Sequence, residues 1–194
     1  MSTADELWAW PAVDPAAGSV RLRRFRDDDV SAAMALSLDP YVPRIGTLPL
    51  RASAAQALDW VVAQRRRPAQ RVGFSFAVGD RDGDECVGFA GLWLRHVDRG
   101  LATAGYAVLP AARGAGRATD ALRALTAFAW TRPPVQRVEL HVEPWNTASC
   151  RVAERVGYAA GELLVRGHEI GGDLRDVVPY VLARPRPGPV RPPR

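Results

Sequence analysis

The sequence predicts an α+β domain built on a mixed, mostly antiparallel central sheet flanked by helices. Three observations carry that expectation. Strand-like and helix-like segments follow one another in the order β-α-α-β-β-β-α-β-α-β-β. The middle strands are joined by short turns such as DRDGD, so they pair as hairpins rather than through helical crossovers. A strand then runs straight into a glycine turn and a long amphipathic helix over 101–130. A doubly wound sheet would instead place a helix after every strand.

Each element has its own local cause. Residues 1–18 hold Trp8, Trp10, Pro11 and Pro15 and form an arm that docks through its tryptophans. SVRLRRF (19–25) alternates Val20 and Leu22 against Arg21, Arg23 and Phe25, a strand of imperfect pattern. Asp27 to Asp29 favour a helix start, giving a short helix over VSAAMALSL. DPYVPRIGTLPL is a loop punctuated by Pro and Gly. Ser53 caps a second helix, AAQALDWVVAQRR, and Arg65 to Arg67 sit where the helix dipole favours cations. FSFAV (74–78) and CVGFAGLWL (86–94) make a hairpin, and LATAGYAVL (101–109) is the next strand, ended by Pro110. RVELHV (137–142) puts Val138, Leu140 and Val142 on one face. TASCRVAERV is a helix that Gly157 terminates. GELLVRGHEI and LRDVVPYVLA are the last two strands, around GGD, and residues 185–194 form a Pro/Arg tail expected to be disordered. The chain therefore divides into an arm (1–18), one domain (19–184) and a tail (185–194).

Composition narrows the function classes. The 194 residues carry a net charge of +5, with arginine as the only basic residue besides His and no lysine at all. A basic chain favours anionic partners, but acids are interspersed among the arginines, and nucleic acid is not the expected partner. Cys86 and Cys150 form no CxxC pair or disulfide framework, which suits a reducing compartment. MSTADELWAW has acids where a signal peptide needs basic residues, and no run approaches the ~20 apolar residues of a membrane span. The expectation is a soluble cytoplasmic protein with no membrane partner.

The stretch RGAGRATDALRALTAFAW (113–130) carries the strongest functional signal. A helix start offers unpaired N–H donors and a partial positive charge, and glycines let a phosphate approach them. The expected ligand group is a pyrophosphate, with Arg113 and Arg117 adding charge. A plain strand-to-helix corner made of small residues is the structural alternative. The P-loop pattern fails for want of lysine, and the dinucleotide pattern GxGxxG fails because Thr119 stands at its third glycine.

RGAGRA fits the R-x-x-G-x-A pyrophosphate motif of the GNAT acetyltransferases. AGYAVLPAARGAGRATDALRALTAFAW and NTASCRVAERVGYAAGELLV resemble the RimJ/RimL-like branch of that superfamily, and GGDLRDVVPYVL resembles its closing hairpin. The resemblance covers roughly residues 19 to 183. It implies a GNAT-like sheet with a splay between two central strands, and acetyl-CoA as co-substrate, with no metal. Ala107, Val108 and Leu109 would pair with the pantetheine arm. Arg113, Gly114, Ala115, Gly116, Arg117 and Ala118 would hold the pyrophosphate, and Asn146 would meet the pantetheine or cap the next helix.

The implied reaction is attack of an amine on a thioester. It needs an oxyanion partner, for which the N–H of Val108 or Leu109 is the candidate, and a proton for the leaving thiolate. Many relatives use a Tyr for that proton; Glu154 stands near its place, and Ser149 is the RimL-like alternative, or merely a first-turn backbone partner. His168 and Glu143 are the base candidates, with Glu169, Glu139 and His141 nearby. An α-amine titrating near 8 costs only ~1.4 kcal/mol to deprotonate at pH 7, whereas a lysine amine costs ~4.6 kcal/mol. A protein N-terminus or small-molecule amine is therefore the expected acceptor, engaged by a monomer or homodimer. The competing readings are a catalytically silent acyl-CoA sensor and a basic RNA- or ribosome-associated protein. Acceptor specificity is expected in the first two helices, the loop 39–50, with Tyr41 and Arg44, and the last hairpin, and Trp60, Trp93 and Trp130 are assigned to the core.

Overall fold

A computed structural model describes residues 6–186 of the chain; residues 187–194 of the tail and 1–5 of the arm lie outside them. Nine strands form the sheet: β1 (Ala16–Ala17), β2 (Val20–Arg23), β3 (Gly73–Asp80), β4 (Cys86–His96), β5 (Leu101–Val108), β6 (Arg137–Val142), β7 (Ala159–Ala160), β8 (Leu164–Ile170) and β9 (Asp173–Ala183). The α-helices with both ends among the described residues are α1 (Val30–Ser37), α2 (Ala54–Arg66), α3 (Arg117–Trp130) and α4 (Thr147–Val156). The order across the sheet is β1-β2-β3-β4-β5-β6-β9-β7, with β8 paired to β9. β5–β6 is the parallel pair in this sheet; the others are antiparallel. The α+β, mostly antiparallel architecture is as the segment order predicts.

Two apolar cores lie against the sheet. One gathers Phe74, Phe76, Leu92, Leu122, Leu125 and Phe128 beneath α3. The other gathers Phe25, Leu36, Trp60 and Val61 beneath α1 and α2. Ser53 caps α2 reciprocally: its hydroxyl accepts from the Gln56 N–H and the Gln56 side chain accepts from the Ser53 N–H. Gly157 closes α4 in the left-handed region at φ 100°. Trp8 and Trp10 pack on Phe74 and Phe76, with Trp10 and Phe76 centroids 4.7 Å apart.

One pattern expectation fails at β2. Arg23, read as a polar-face residue, is buried, because Asp29 accepts a two-pronged hydrogen bond from its guanidinium at 2.8 Å on each prong. Burial of a charge is tolerated when a carboxylate of matching geometry satisfies it. Among the described residues no helix is long and apolar enough to cross a membrane.

Candidate functional site

The site begins where the sheet opens. β5 and β6 pair only at Leu101–Arg137, Ala102–Val138 and Thr103–Glu139. Beyond those three rungs the strands part, although β5 continues to Val108 and β6 to Val142. On its other edge β5 stays paired with β4 as far as Gly88–Val108.

The ladder decides which amides face the gap. The Leu109 N–H donates to the Val87 carbonyl at 2.9 Å. In an antiparallel ladder the hydrogen-bonded residues alternate. Ala107 and Leu109 therefore point their main chain at β4, and Tyr106 and Val108 point theirs into the gap. The Leu109 N–H is thus spent, which removes it as an oxyanion donor and leaves Val108 of the two expected. The Val108 carbonyl accepts from Arg113 Nε at 3.0 Å.

At the far end of β5 the glycine turn enters α3. Gly114 and Gly116 sit at φ 83° and 78°, a region that costs other residues about 1–2 kcal/mol. A Cβ at either position would meet nothing within 4 Å, so the glycines serve backbone conformation beside open space. Gly116 is the N-cap of α3 and supplies no side-chain cap. The N–H groups of Gly114, Ala115 and Gly116 make no hydrogen bond among the described residues. With the unpaired first turn of α3, Arg117 to Thr119, they form a run of free donors.

The two arginines flanking this turn are committed elsewhere. Arg113 donates to Asp39 at 2.6 Å, and Asp39 also accepts from the N–H groups of Tyr41 and Val42. Arg117 is held by Asp80 at 2.7 Å. Their side chains set the turn and the 39–42 loop in place, and the anion-binding potential rests on the backbone.

The other end of the gap opens into a cleft of about 1200 Å³. Its floor includes Thr103 to Tyr106 and Leu140 to Val142; its walls come from the 41–47 loop, the end of α2, the end of β4, the start of α4 and the β8–β9 hairpin. Asn146 caps α4 through Oδ1, which accepts from the Ser149 N–H at 3.2 Å. Asn146 and Ser149 both line the cleft.

Tyr106 was not anticipated. Its hydroxyl is buried, faces the Ser149 hydroxyl and has no well-formed hydrogen bond. Burial pushes its pKa up to about 12, so it stays protonated at neutral pH. The available signal was the alternation along β5, which puts residue 106 in phase with buried Ala104 and Val108.

The two base candidates separate. Glu143 is 3% exposed. Burial would raise its pKa, but hydrogen bonds from Arg175, Tyr41 and Trp145 and the Arg175 charge hold it below the usual carboxylate range. Arg175 Nε lies 2.9 Å from it. A carboxylate so stabilised as an anion is a weak base; Glu143 braces the loop, β6 and β9 together. Asp176 does not pair with its neighbour Arg175 but accepts from the Arg166 N–H at 2.8 Å. His168 instead lines the cleft, with its ring centroid 4.8 Å from that of His141. Desolvation and the neighbouring His141 lower its pKa, keeping it neutral and able to accept a proton. His141 Nε2 is 2.6 Å from Glu139.

Trp60 is core, but Trp93 lines the cleft, contrary to its assignment to the core. Glu154, in the place expected for a family Tyr, accepts from the Tyr180 hydroxyl at 3.4 Å.

An open sheet seam leads from an uncapped helix N-terminus to a cleft, an arrangement suited to an acyl-CoA transferase, and comparison with known proteins agrees. Residues 19–159 match the family described as Acetyltransferase (GNAT) domain, and the chain belongs to that family. It is a GNAT-type acyl-CoA N-acyltransferase of the RimJ/RimL-like branch. An uncharacterized N-acetyltransferase, p20, of Bacillus licheniformis is 24% identical over 163 residues, covering 84% of this chain and 92% of that protein. The fold superposes on Mycobacterium smegmatis RimJ in complex with CoA-disulfide with a TM-score of 0.74 at 25% identity, over 88% of this chain and 84% of that one. It superposes on RimL, a ribosomal L7/L12 alpha-N-protein acetyltransferase in complex with coenzyme A, with a TM-score of 0.73 at 19% identity, over 87% and 96% of the two chains.

Proposed function

We propose that this chain moves the acetyl group of acetyl-CoA to a primary amine, the α-amine of a protein N-terminus or a small-molecule amine, by direct attack in a ternary complex. The observation that carries the reading is the parting of β5 from β6 after Thr103–Glu139. It leaves amides of Tyr106 and Val108 facing a gap that joins the free donors at 114–119 to the cleft. The RimJ and RimL structures that share this fold are complexes with forms of coenzyme A, which supports the same donor here.

In this reading the N–H groups of Gly114 to Ala118 hold the diphosphate, assisted by the α3 dipole. The main chain of Tyr106 and Val108 pairs with the pantetheine amides or, through the Val108 N–H, receives the charge that develops on the thioester oxygen. Ser149, backed by the Tyr106 hydroxyl, returns a proton to the leaving thiolate. His168 takes the proton from the attacking amine. Asn146 fixes the α4 start that aims Ser149, and Arg113 fixes the strand end that carries Val108.

The test is acetylation of an amine panel by the full chain, followed by thiol release and product mass. The reading expects thiol release only when acetyl-CoA and an amine are both present. Because the chain has no lysine, no side-chain amine of the protein competes with the panel. Binding of acetyl-CoA with no product across α-amines, alkylamines and lysine would overturn catalysis and leave the acyl-CoA sensor.

A further inference from the structure

The acceptor side of the cleft carries a cationic feature that donor binding does not use. Trp93 pairs with Thr103 across the β4–β5 ladder, five residues or ~16 Å along the strand from Val108. Its indole lies over Gly91 and Gly105, where an added Cβ would stand 2.8 and 3.0 Å from the ring. The sheet is hollowed at both positions to seat this ring. Arg67, at the C-terminal cap of α2, stacks over the ring, its guanidinium carbon 5.4 Å from the centroid. Arg95 follows two residues after Trp93 and lines the same wall.

Neither arginine has a carboxylate partner among the described residues. Arg67 is disfavoured in its charged form by burial and by the Arg95 charge. Arg44, the other arginine lining the cleft, is paired with Asp173, and Arg113, Arg117 and Arg175 outside it are paired with Asp39, Asp80 and Glu143. Glu169 is the one carboxylate on the cleft lining among the described residues. Two like charges on one wall, one of them stacked on an indole and partly out of water, are relieved by an anion placed between them.

We propose that Arg67, stacked on Trp93, and Arg95 on the same wall form an anion subsite for the acceptor, so that the preferred substrate is an amine carrying a carboxylate or phosphate group about 10–15 Å from the reacting nitrogen. The proposal rests on the acetyl-transfer reading above and names its substrate class. The subsite holds the anionic group at the start of β5 while the amine points along the gap toward the thioester.

The test compares the wild-type chain with the double variant Arg67→Gln/Arg95→Gln and with Arg95→Glu, which alters an exposed position. The probes are the C-terminally amidated tripeptides Ala-Asp-Glu, Ala-Asn-Gln and Ala-Arg-Arg, and the phosphate monoester of 8-aminooctan-1-ol with 8-aminooctan-1-ol as its neutral counterpart. Turnover is measured with acetyl-CoA, and binding of each probe to the coenzyme A complex is measured by calorimetry. The expected result is a lower KM for the anionic member of each set, raised ~10–100-fold by the double variant with kcat and the neutral probes little changed. Arg95→Glu shifts preference toward Ala-Arg-Arg. Preference for the tripeptide alone or for the phosphate alone identifies the anion. Equal KM and equal affinity for charged and neutral probes, or an equal loss on all probes in both variants, overturns the subsite. Absence of turnover with every probe, while Ala-Asp-Glu still binds wild type more tightly than the variant, overturns acetyl transfer and retains the subsite.

Discussion

Gly116→Glu separates the backbone role of the glycine turn from its role at the diphosphate. Gly116 sits at φ 78° as the N-cap of α3, and a Cβ there meets nothing within 4 Å. Any side chain therefore costs about 1 kcal/mol through the left-handed conformation alone, with no clash added. For a chain of this size that lowers Tm by roughly 2–4 °C. The carboxylate adds a second effect only when the donor is present. Two diphosphate charges about 6 Å away, at an effective dielectric of about 40, repel it by about 3 kcal/mol. That is roughly a 100-fold loss of affinity. Gly116→Ala carries the conformational cost without the charge and is expected to bind donor within about 3-fold of wild type. Calorimetric titration with coenzyme A, together with thermal melts of the free proteins, measures both effects. Raising the salt concentration should narrow the gap between the two variants. Equal affinity of Gly116→Glu and Gly116→Ala would refute placement of the diphosphate at this corner.

Tyr106→Phe removes a buried hydroxyl that lacks a well-formed partner, so the melt should be unchanged or slightly improved while kcat falls about 10–100-fold; combined with Ser149→Ala, the two losses should be less than additive if both serve one proton. His168→Gln should lower kcat/KM by about 10–100-fold and abolish the enzyme's own acid limb, leaving the step at ~8 that belongs to an α-amine acceptor. In wild type the limb falls below the ordinary imidazole value of about 6.5, because a lowered pKa delays protonation of the base. Stability should fall in acid for a separate reason. Burial pushes Asp39, Asp84 and Glu143 up, but their arginine partners and hydrogen bonds bring each below its ordinary value. Their stabilisation is complete above the unfolded carboxylate range near ~4 and is lost as pH falls through the lowered folded values. Melts should be level from about pH 7 to 5 and drop below about 4, less steeply in Glu143→Gln.

Much of this was legible along the chain because local rules and tertiary packing agree. The Ser53–Gln56 cap, the terminal Gly157 and the glycine entry to α3 each mark a boundary that the backbone itself requires. The bounds of α2 and α4 and of β6 fall where those signals put them. Departures occur where distant residues meet. Arg23 reads as a solvated side chain until Asp29 and Asp84 close on it. Glu143 reads as a base until Arg175, 32 positions away, claims it. Trp93 reads as core because no spacing rule reveals that Gly91 and Gly105 make a shelf for it on the cleft side. Tyr106 is invisible for a different reason: a tyrosine in an alternating strand is ordinarily a packing residue, and only the loss of the neighbouring strand turns its hydroxyl toward Ser149. The Arg65 to Arg67 triplet fits a helix terminus, yet its members diverge, Arg65 to Asp27 and Arg67 onto Trp93.

The three-rung register between β5 and β6 has a thermodynamic consequence. A sheet whose central rungs are missing is an unfinished one, and on the proposed pose the absent rungs are supplied by amides that are not part of the polypeptide. The donor then works as a removable structural member, strengthening the folded state in proportion to its saturation, by about 2.7 kcal/mol at a hundredfold excess over its dissociation constant. Free coenzyme A carries the same amides, so on that pose the enzyme stays sturdier with product bound as well as with donor bound.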